Sequence, residues 1–144
     1  MRIYLDNCCF NRPFDDQSQL RIKLEAEAKL EIQRKIQEGE LILIWSFILD
    51  FENEANPFEE RRRAIQEWRK FATEDLDATP NIRKHAIALS KKGIHSKDAL
   101  HISCACAAKC LYFLTTDDKI LKMDDTISEL KIIDPIGFIK EITP

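Results

Sequence analysis

Residues 41–52 read Leu-Ile-Leu-Ile-Trp-Ser-Phe-Ile-Leu-Asp-Phe-Glu. The run Leu41–Trp45 is apolar at every position. A strand with one wet face alternates apolar and polar residues, whereas a strand covered on both faces does not. Ser46 then supplies an oxygen suited to capping a helix, which runs towards Asn56 and is closed by Pro57. A doubly covered strand that feeds a helix points to a parallel sheet layered between helices.

The same alternation continues outward. Towards the N-terminus, Gly39 ends a long amphipathic helix over Gln19–Gln37, with Leu20, Leu24, Ala28, Ile32 and Ile36 on its expected inner face. Ahead of it lie turn formers Asn11, Pro13, Asp15 and Asp16, and a short strand, Arg2–Leu5, that ends at Asp6. Towards the C-terminus we expect a helix over Glu59–Phe71 with Ile65, Trp68 and Phe71 inward. A short strand at Leu76–Ala78 and a helix over Ile82–Lys92, stopped by Gly93, follow. A helix capped by Ser96 runs through Lys109 into a strand at Leu111–Leu114. A short helix over Asp117–Lys122, a strand at Lys131–Ile133 and a last helix from Pro135 complete the chain. Five strands alternating with helices give an α/β fold, a doubly wound three-layer α/β/α sandwich, with residues 1–144 as one domain.

The chain has 144 residues, 44% apolar and 33% charged, which excludes a disordered or collagen-like class. Lys plus Arg is 22 against 25 for Asp plus Glu, a net charge of -3. Binding a polyanion through a broad basic surface is therefore not expected; such contact must be local or rely on metal ions. No stretch reaches the roughly 20 apolar residues of a membrane span, and the N-terminus lacks a secretion signal, so a cytoplasmic location is expected. Five cysteines, an odd number, do not form a disulfide framework, and small buried apolar roles are expected.

In open parallel sheets ligands bind beyond the carboxyl ends of the strands, where the winding reverses. Asp6 ends the first strand, and Asp117 and Asp118 lie just past the fourth. Glu52 sits about two turns into the helix after the second strand. Asp98 sits in the first turn of the helix leading to the fourth. Each alone has an ordinary role: a turn, a charged helix face, a dipole partner or an N-cap. Together they would crowd negative charge into one cleft, tolerable when a cation compensates. Mg²⁺ or Mn²⁺ suits an all-oxygen site and would let an acidic protein act on phosphate esters.

The ordered set of motifs resembles the PIN-domain ribonucleases. Ile3-Tyr4-Leu5-Asp6-Asn7-Cys8 looks like the family's opening strand and acid. Ser46 followed six residues later by Glu52, the Asp98-Ala99-Leu100-His101 element, and Leu114-Thr115-Thr116-Asp117 resemble the next three motifs. The resemblance spans Arg2 to about Pro135. It implies a five-stranded parallel sheet of order 3-2-1-4-5 and Mg²⁺- or Mn²⁺-dependent endoribonuclease activity leaving a 5′-phosphate and a 3′-hydroxyl. It implies Asp6, Glu52, Asp98 and Asp117 as metal ligands, with Asp118 the alternative to Asp117 and Asn7 a possible addition. Small stand-alone members are often VapC-like toxins of type II toxin–antitoxin pairs, which implies a homodimer and an antitoxin partner. The family more often has Ser or Thr, then Asn, where this chain has Asn7-Cys8. Glu54 cannot share the helical face of Glu52.

Arg12 and Lys97 are candidate phosphate contacts, as each neighbours an acid of the site in sequence. Arg61-Arg62-Arg63 reads as a solvated face pairing with Glu59, Glu60 and Glu67. His101 shares a helical side with Asp98 and is expected to pack or hydrogen-bond. Phe10, Phe14 and Trp45 are expected in packing. Two other classes share this pattern of acids: an aspartate-based Mg²⁺-dependent phosphotransfer or phosphatase domain, and a non-catalytic PIN-fold binding module. The phosphatases need Asp-x-Asp after the first strand, where this chain has Asp6-Asn7-Cys8.

Overall fold

A computed structural model describes residues 1–144. Five strands form one parallel sheet: β1 (Arg2–Leu5), β2 (Ile42–Ser46), β3 (Ala72–Leu76), β4 (Tyr112–Leu114) and β5 (Lys131–Ile133), in spatial order β3-β2-β1-β4-β5. The chain winds from β1 outward to β3, then returns to the other side of β1. The reversal therefore falls between β1 and β4, as expected for a doubly wound sandwich. In register, Leu5 pairs with Leu114. Asp6 and the residues after Leu114 thus leave the sheet side by side.

The helices are α1 (Asn7–Asn11), α2 (Leu20–Gln37), α3 (Phe47–Glu54), α4 (Glu59–Glu67), α5 (Pro80–Lys91), α6 (Ser96–Ala107), α7 (Asp118–Leu121) and α8 (Pro135–Ile142). α2 packs on α8, and α5 on α6. Right-handed crossovers require the helices of the outward and return windings to cover opposite faces. Caps set several helix starts: Asp6, Ser46, Thr79 and Asp134 each accept a backbone N–H of the first turn. Gly39 and Gly93 end α2 and α5 at φ +79° and +98°, a conformation that strains any residue with a Cβ. The core gathers 31 buried apolar residues, with Ile3, Tyr4, Leu5, Leu43, Ile44, Trp45, Phe113 and Leu114 fully buried in the sheet. No helix is long and apolar enough to cross a membrane.

Four local expectations are corrected. The inner face of α2 holds only at its C-terminal end: Leu20 and Leu24 are 70% and 44% exposed, while Glu25, Ala26, Lys29, Ile32, Gln33 and Ile36 are buried. A strict four-residue spacing drifts about 40° per step around a 3.6-residue helix, so Leu20 and Ile36 fall nearly opposite. The helix expected to reach Phe71 stops at Glu67. A 3₁₀ turn, Trp68–Phe71, follows and leaves Phe71 exposed. β3 precedes the expected strand and overlaps it only at Leu76. Its sequence Ala-Thr-Glu-Asp-Leu is too polar to stand out, since an edge strand needs little apolar cover and charges there block edge pairing. Finally, α6 is preceded by His95 at the cap position, without a side-chain cap, while Ser96 is its first residue.

Candidate metal centre

Asp6 is fixed from three sides. Its backbone N–H donates to the Leu114 carbonyl at 2.9 Å, which continues the β1–β4 ladder. Oδ1 accepts from the Asn7 N–H at 2.8 Å, and Oδ2 from the Thr115 hydroxyl at 2.8 Å. Thr115 Oγ1 also accepts from the Asp117 N–H at 3.1 Å. A single hydroxyl thus ties the ends of β1 and β4 together at the point of reversal. Asp117 caps α7, with its Oδ1 accepting from the Lys119 N–H at 2.9 Å.

Glu52 enters from α3 and His101 from α6. His101 is fully buried. Its Nε2 hydrogen-bonds Glu52 Oε1, and its Nδ1 lies 2.6 Å from the Tyr4 hydroxyl, itself 2.6 Å from Ser46 Oγ. Ser46, Tyr4, His101 and Glu52 therefore form one buried polar chain running out to a carboxylate. His101 Nε2 is also 3.8 Å from Asp6 Oδ1. Ligand atoms of Asp6, Glu52 and His101 all lie within 4.8 Å of one another, a group able to hold a metal ion. As the side chains stand, both ring nitrogens of His101 are engaged, so Asp6 and Glu52 offer the ligand oxygens and His101 orients Glu52 as an outer partner would.

Asp98 stands in the first turn of α6. Its carboxyl is pushed up to about 6, first by burial, then by the negative charges of Asp6 and Asp117, against smaller pulls from His101 and His95. Three acids from three elements thus act on one another through the same crevice. Beside them, Asn7 Oδ1 is buried with no hydrogen-bond partner. An unpartnered acceptor oxygen on the residue next to Asp6 is of the kind a hard divalent cation takes as a ligand.

The remaining candidates stand elsewhere. Asp118 forms a bidentate pair with Arg21, at 2.9 and 2.8 Å, which holds its carboxyl below the usual range. Arg12 is engaged by Glu25 at 3.0 Å and Asp15 at 3.2 Å, bracing the turn after α1 against α2. Lys97 is exposed, its Nζ 5.6 Å from the centre of the Phe51 ring. In α4, Arg63 pairs with Glu59 as expected, but Arg61 reaches Asp15 and Arg62 the Asn56 carbonyl. Phe10 and Trp45 pack edge to face in the core, whereas Phe14 is 43% exposed. All five cysteines are free; Cys9, Cys104 and Cys110 are buried, and Cys8 and Cys106 half-buried. Burial pushes the thiols of Cys104, Cys106 and Cys110 up to about 12, as suits small packed side chains.

Sequence reasoning missed Tyr4 and Thr115. Tyr4 reads as one more apolar strand residue; the available signal is its hydroxyl, which a doubly covered strand can bury only with a partner. Thr115 is the polar residue next to Leu114, at the position where β4 must turn towards Asp117.

The arrangement defines a PIN-like fold: a five-stranded parallel α/β/α sandwich with an acidic crevice at its winding reversal. Two solved structures share that fold along nearly the whole chain. One is VapBC2 from Rickettsia felis bound to a DNA fragment from its promoter, with a TM-score of 0.56, 15% identity, and coverage of 92% of this chain and 97% of that one. The other is VapBC-1 from nontypeable Haemophilus influenzae, with a TM-score of 0.58, 20% identity, and coverage of 94% and 98%. No protein-family model and no curated relative matches the chain.

Proposed function

We propose that the chain is a metal-dependent endoribonuclease, the toxin of a toxin–antitoxin pair. The observation that carries this reading is the gathering of Asp6, Glu52 and His101 within 4.8 Å, with Asp98 and Asp117 acting on the same crevice. Asp6, Glu52, Asp98 and Asp117 would hold Mg²⁺ or Mn²⁺, and Asn7 Oδ1 offers a further oxygen. Asp118 is the weaker choice for the fourth acid, since Arg21 already neutralises it. When bound, such an ion polarises a phosphoryl oxygen and acidifies water.

The chain's own residues hold the geometry. Thr115 and the Asn7 N–H fix both oxygens of Asp6. His101, backed by Tyr4 and Ser46, aims Glu52. Arg12 and Lys97 remain the phosphate contacts of this reading, Lys97 the better placed because Arg12 is committed to Glu25 and Asp15. The fold likeness to VapBC assemblies supports an antitoxin as cognate partner, and a homodimer as the working form belongs to the same reading. A cytoplasmic location, where RNA is available, belongs to the same reading. An aspartate phosphotransferase is less well supported, because the phosphatases need Asp-x-Asp after the first strand, where this chain has Asp6-Asn7-Cys8. The non-catalytic module is disfavoured by acids crowded at an energetic cost.

The test is incubation of the purified chain with single-stranded RNA. Cleavage is expected with Mg²⁺ or Mn²⁺, should stop on chelation, and should be absent in Asp6→Asn and Asp98→Asn. Cleavage that survives either substitution would refute the assignment.

A further inference from the structure

Between the turn joining α5 to α6 and the short helix α7 lies a groove of about 590 Å³, whose walls include Asp98, His95, Lys119, Lys122 and Met123. It opens directly beside the acidic crevice, because Asp98 belongs to both. Ile94 and Ile120, 6% and 3% exposed, form its floor, and Met123 is half-buried at its side. Lys119 and Lys122 are exposed on its rim.

Most of the arginines are committed to acids, whereas most of the lysines are not, those on the groove's rim among them. Arg2, Arg12, Arg21, Arg34, Arg61, Arg63 and Arg69 are each paired with a carboxylate. Lys119 and Lys122 have no carboxylate oxygen within 4.0 Å, and neither does Lys97 on the other side of Asp98. Asp118, whose carboxylate also feels the charge of Lys122, forms its bidentate pair with Arg21. A chain of net charge -3 thus keeps two cations without ion-pair partners along a groove that ends at its acidic site. An apolar floor with a cationic rim matches a nucleotide, which presents an apolar base face and an anionic phosphate.

We propose that this groove is a substrate subsite for single-stranded RNA. Lys119 and Lys122 hold phosphates next to the bond at the acidic crevice, and the Ile94, Ile120 and Met123 surface underlies a base or ribose. The subsite answers a physical difficulty of the proposed function, on which it rests: a crevice of carboxylates repels a polyanion, so attraction must be supplied locally, alongside any cation.

The experiment measures binding of a fluorescently labelled single-stranded oligoribonucleotide by anisotropy, without requiring cleavage. It compares the parent chain with Lys119→Gln/Lys122→Gln. A second double variant, Arg83→Gln/Lys84→Gln, removes the same charge from the exposed face of α5. The groove variant is expected to bind about ten-fold more weakly and to lose about 1.4 from the slope of log affinity against log salt, 0.7 per phosphate contact. The α5 variant should match the parent. RNA binding that depends on the two lysines without any cleavage would uphold the subsite while removing the nuclease reading. A parent that binds no RNA, a groove variant that binds as the parent does, or an equal loss in both variants would overturn the proposal. Unchanged melting temperatures confirm that the variants are folded.

Discussion

Two regions of the molecule bury charge in opposite ways. At the sheet's carboxyl end, acids crowd one another and Asp98 is pushed up to about 6. Beneath α1, a base is buried with no acid at all. Lys29 is 2% exposed, its Nζ 4.9 Å from the Phe10 ring and 5.2 Å from the Trp68 ring. With the Gln33 amide turned so that its oxygen faces them, Oε1 accepts from Lys29 and, at 2.7 Å, from the Trp68 indole N–H. Glu25, one turn earlier on α2, is taken by Arg12 and Arg21. Burial lowers the Lys29 amine to about 7, offset slightly by Cys9. Both regions cost stability by desolvation. The difference lies in what can relieve it: aromatic faces and an amide compensate the lysine within the fold, whereas the acids leave room for something from outside.

The largest effect that would break this contrast concerns function. Asp6→Asn should reduce RNA cleavage below detection while the chain stays folded, as judged by circular dichroism and an assay of hydrolysis with Mn²⁺. Next comes the lysine. Lys29→Met should stabilise the chain by about 1–4 kcal/mol in urea unfolding, since an apolar side chain of similar length removes a desolvation cost that the rings and the amide offset only in part. A destabilised variant would mean that the cage is a net favourable cation site.

The pH dependence has a definite sign. Between about 7 and 10.5 the unfolded lysine carries a proton that the folded one lacks, so stability rises with pH across this window. The lowering from 10.5 to about 7 corresponds to on the order of 5 kcal/mol at most. The rise should be absent in Lys29→Met.

These two regions were unequally legible in the sequence. The strand-end acids could be placed because the winding rule assigns an address to Asp6 and Asp117 before any side chain is located. Glu52 and Asp98 followed from helix position. The buried polar chain behind Glu52 was not legible: Ser46, Tyr4 and His101 lie on three elements and meet only through packing. Lys29 was hidden by the assumption that the leucines of α2 face inward. The helix instead turns its Glu25–Lys29 side to the turn after α1, where Arg12 awaits Glu25.

Smaller effects sharpen the comparison further. His101→Gln should weaken Mn²⁺ binding by about 10–100-fold, because Glu52 loses its orienting partner while the acids remain. Asp98→Asn should raise the metal-free chain's stability by about 1 kcal/mol, or roughly 2–4 °C in melting temperature, by removing a repelled charge. The sign follows from linkage. The folded carboxyl is raised, so it holds a proton between about 4 and 6 that the unfolded one has lost, and the metal-free chain loses stability as pH climbs through that window. Metal affinity should rise over the same window, as protons leave the competing carboxylate.

Calorimetric titration of Mn²⁺ into the parent chain and into Asp98→Asn at pH 7 bears most directly on whether the gathered acids form a cation site. Saturable binding in the parent, lost or greatly weakened in the variant, is expected. Equal binding in both, or none in the parent, would show that the crevice is acidic for another reason.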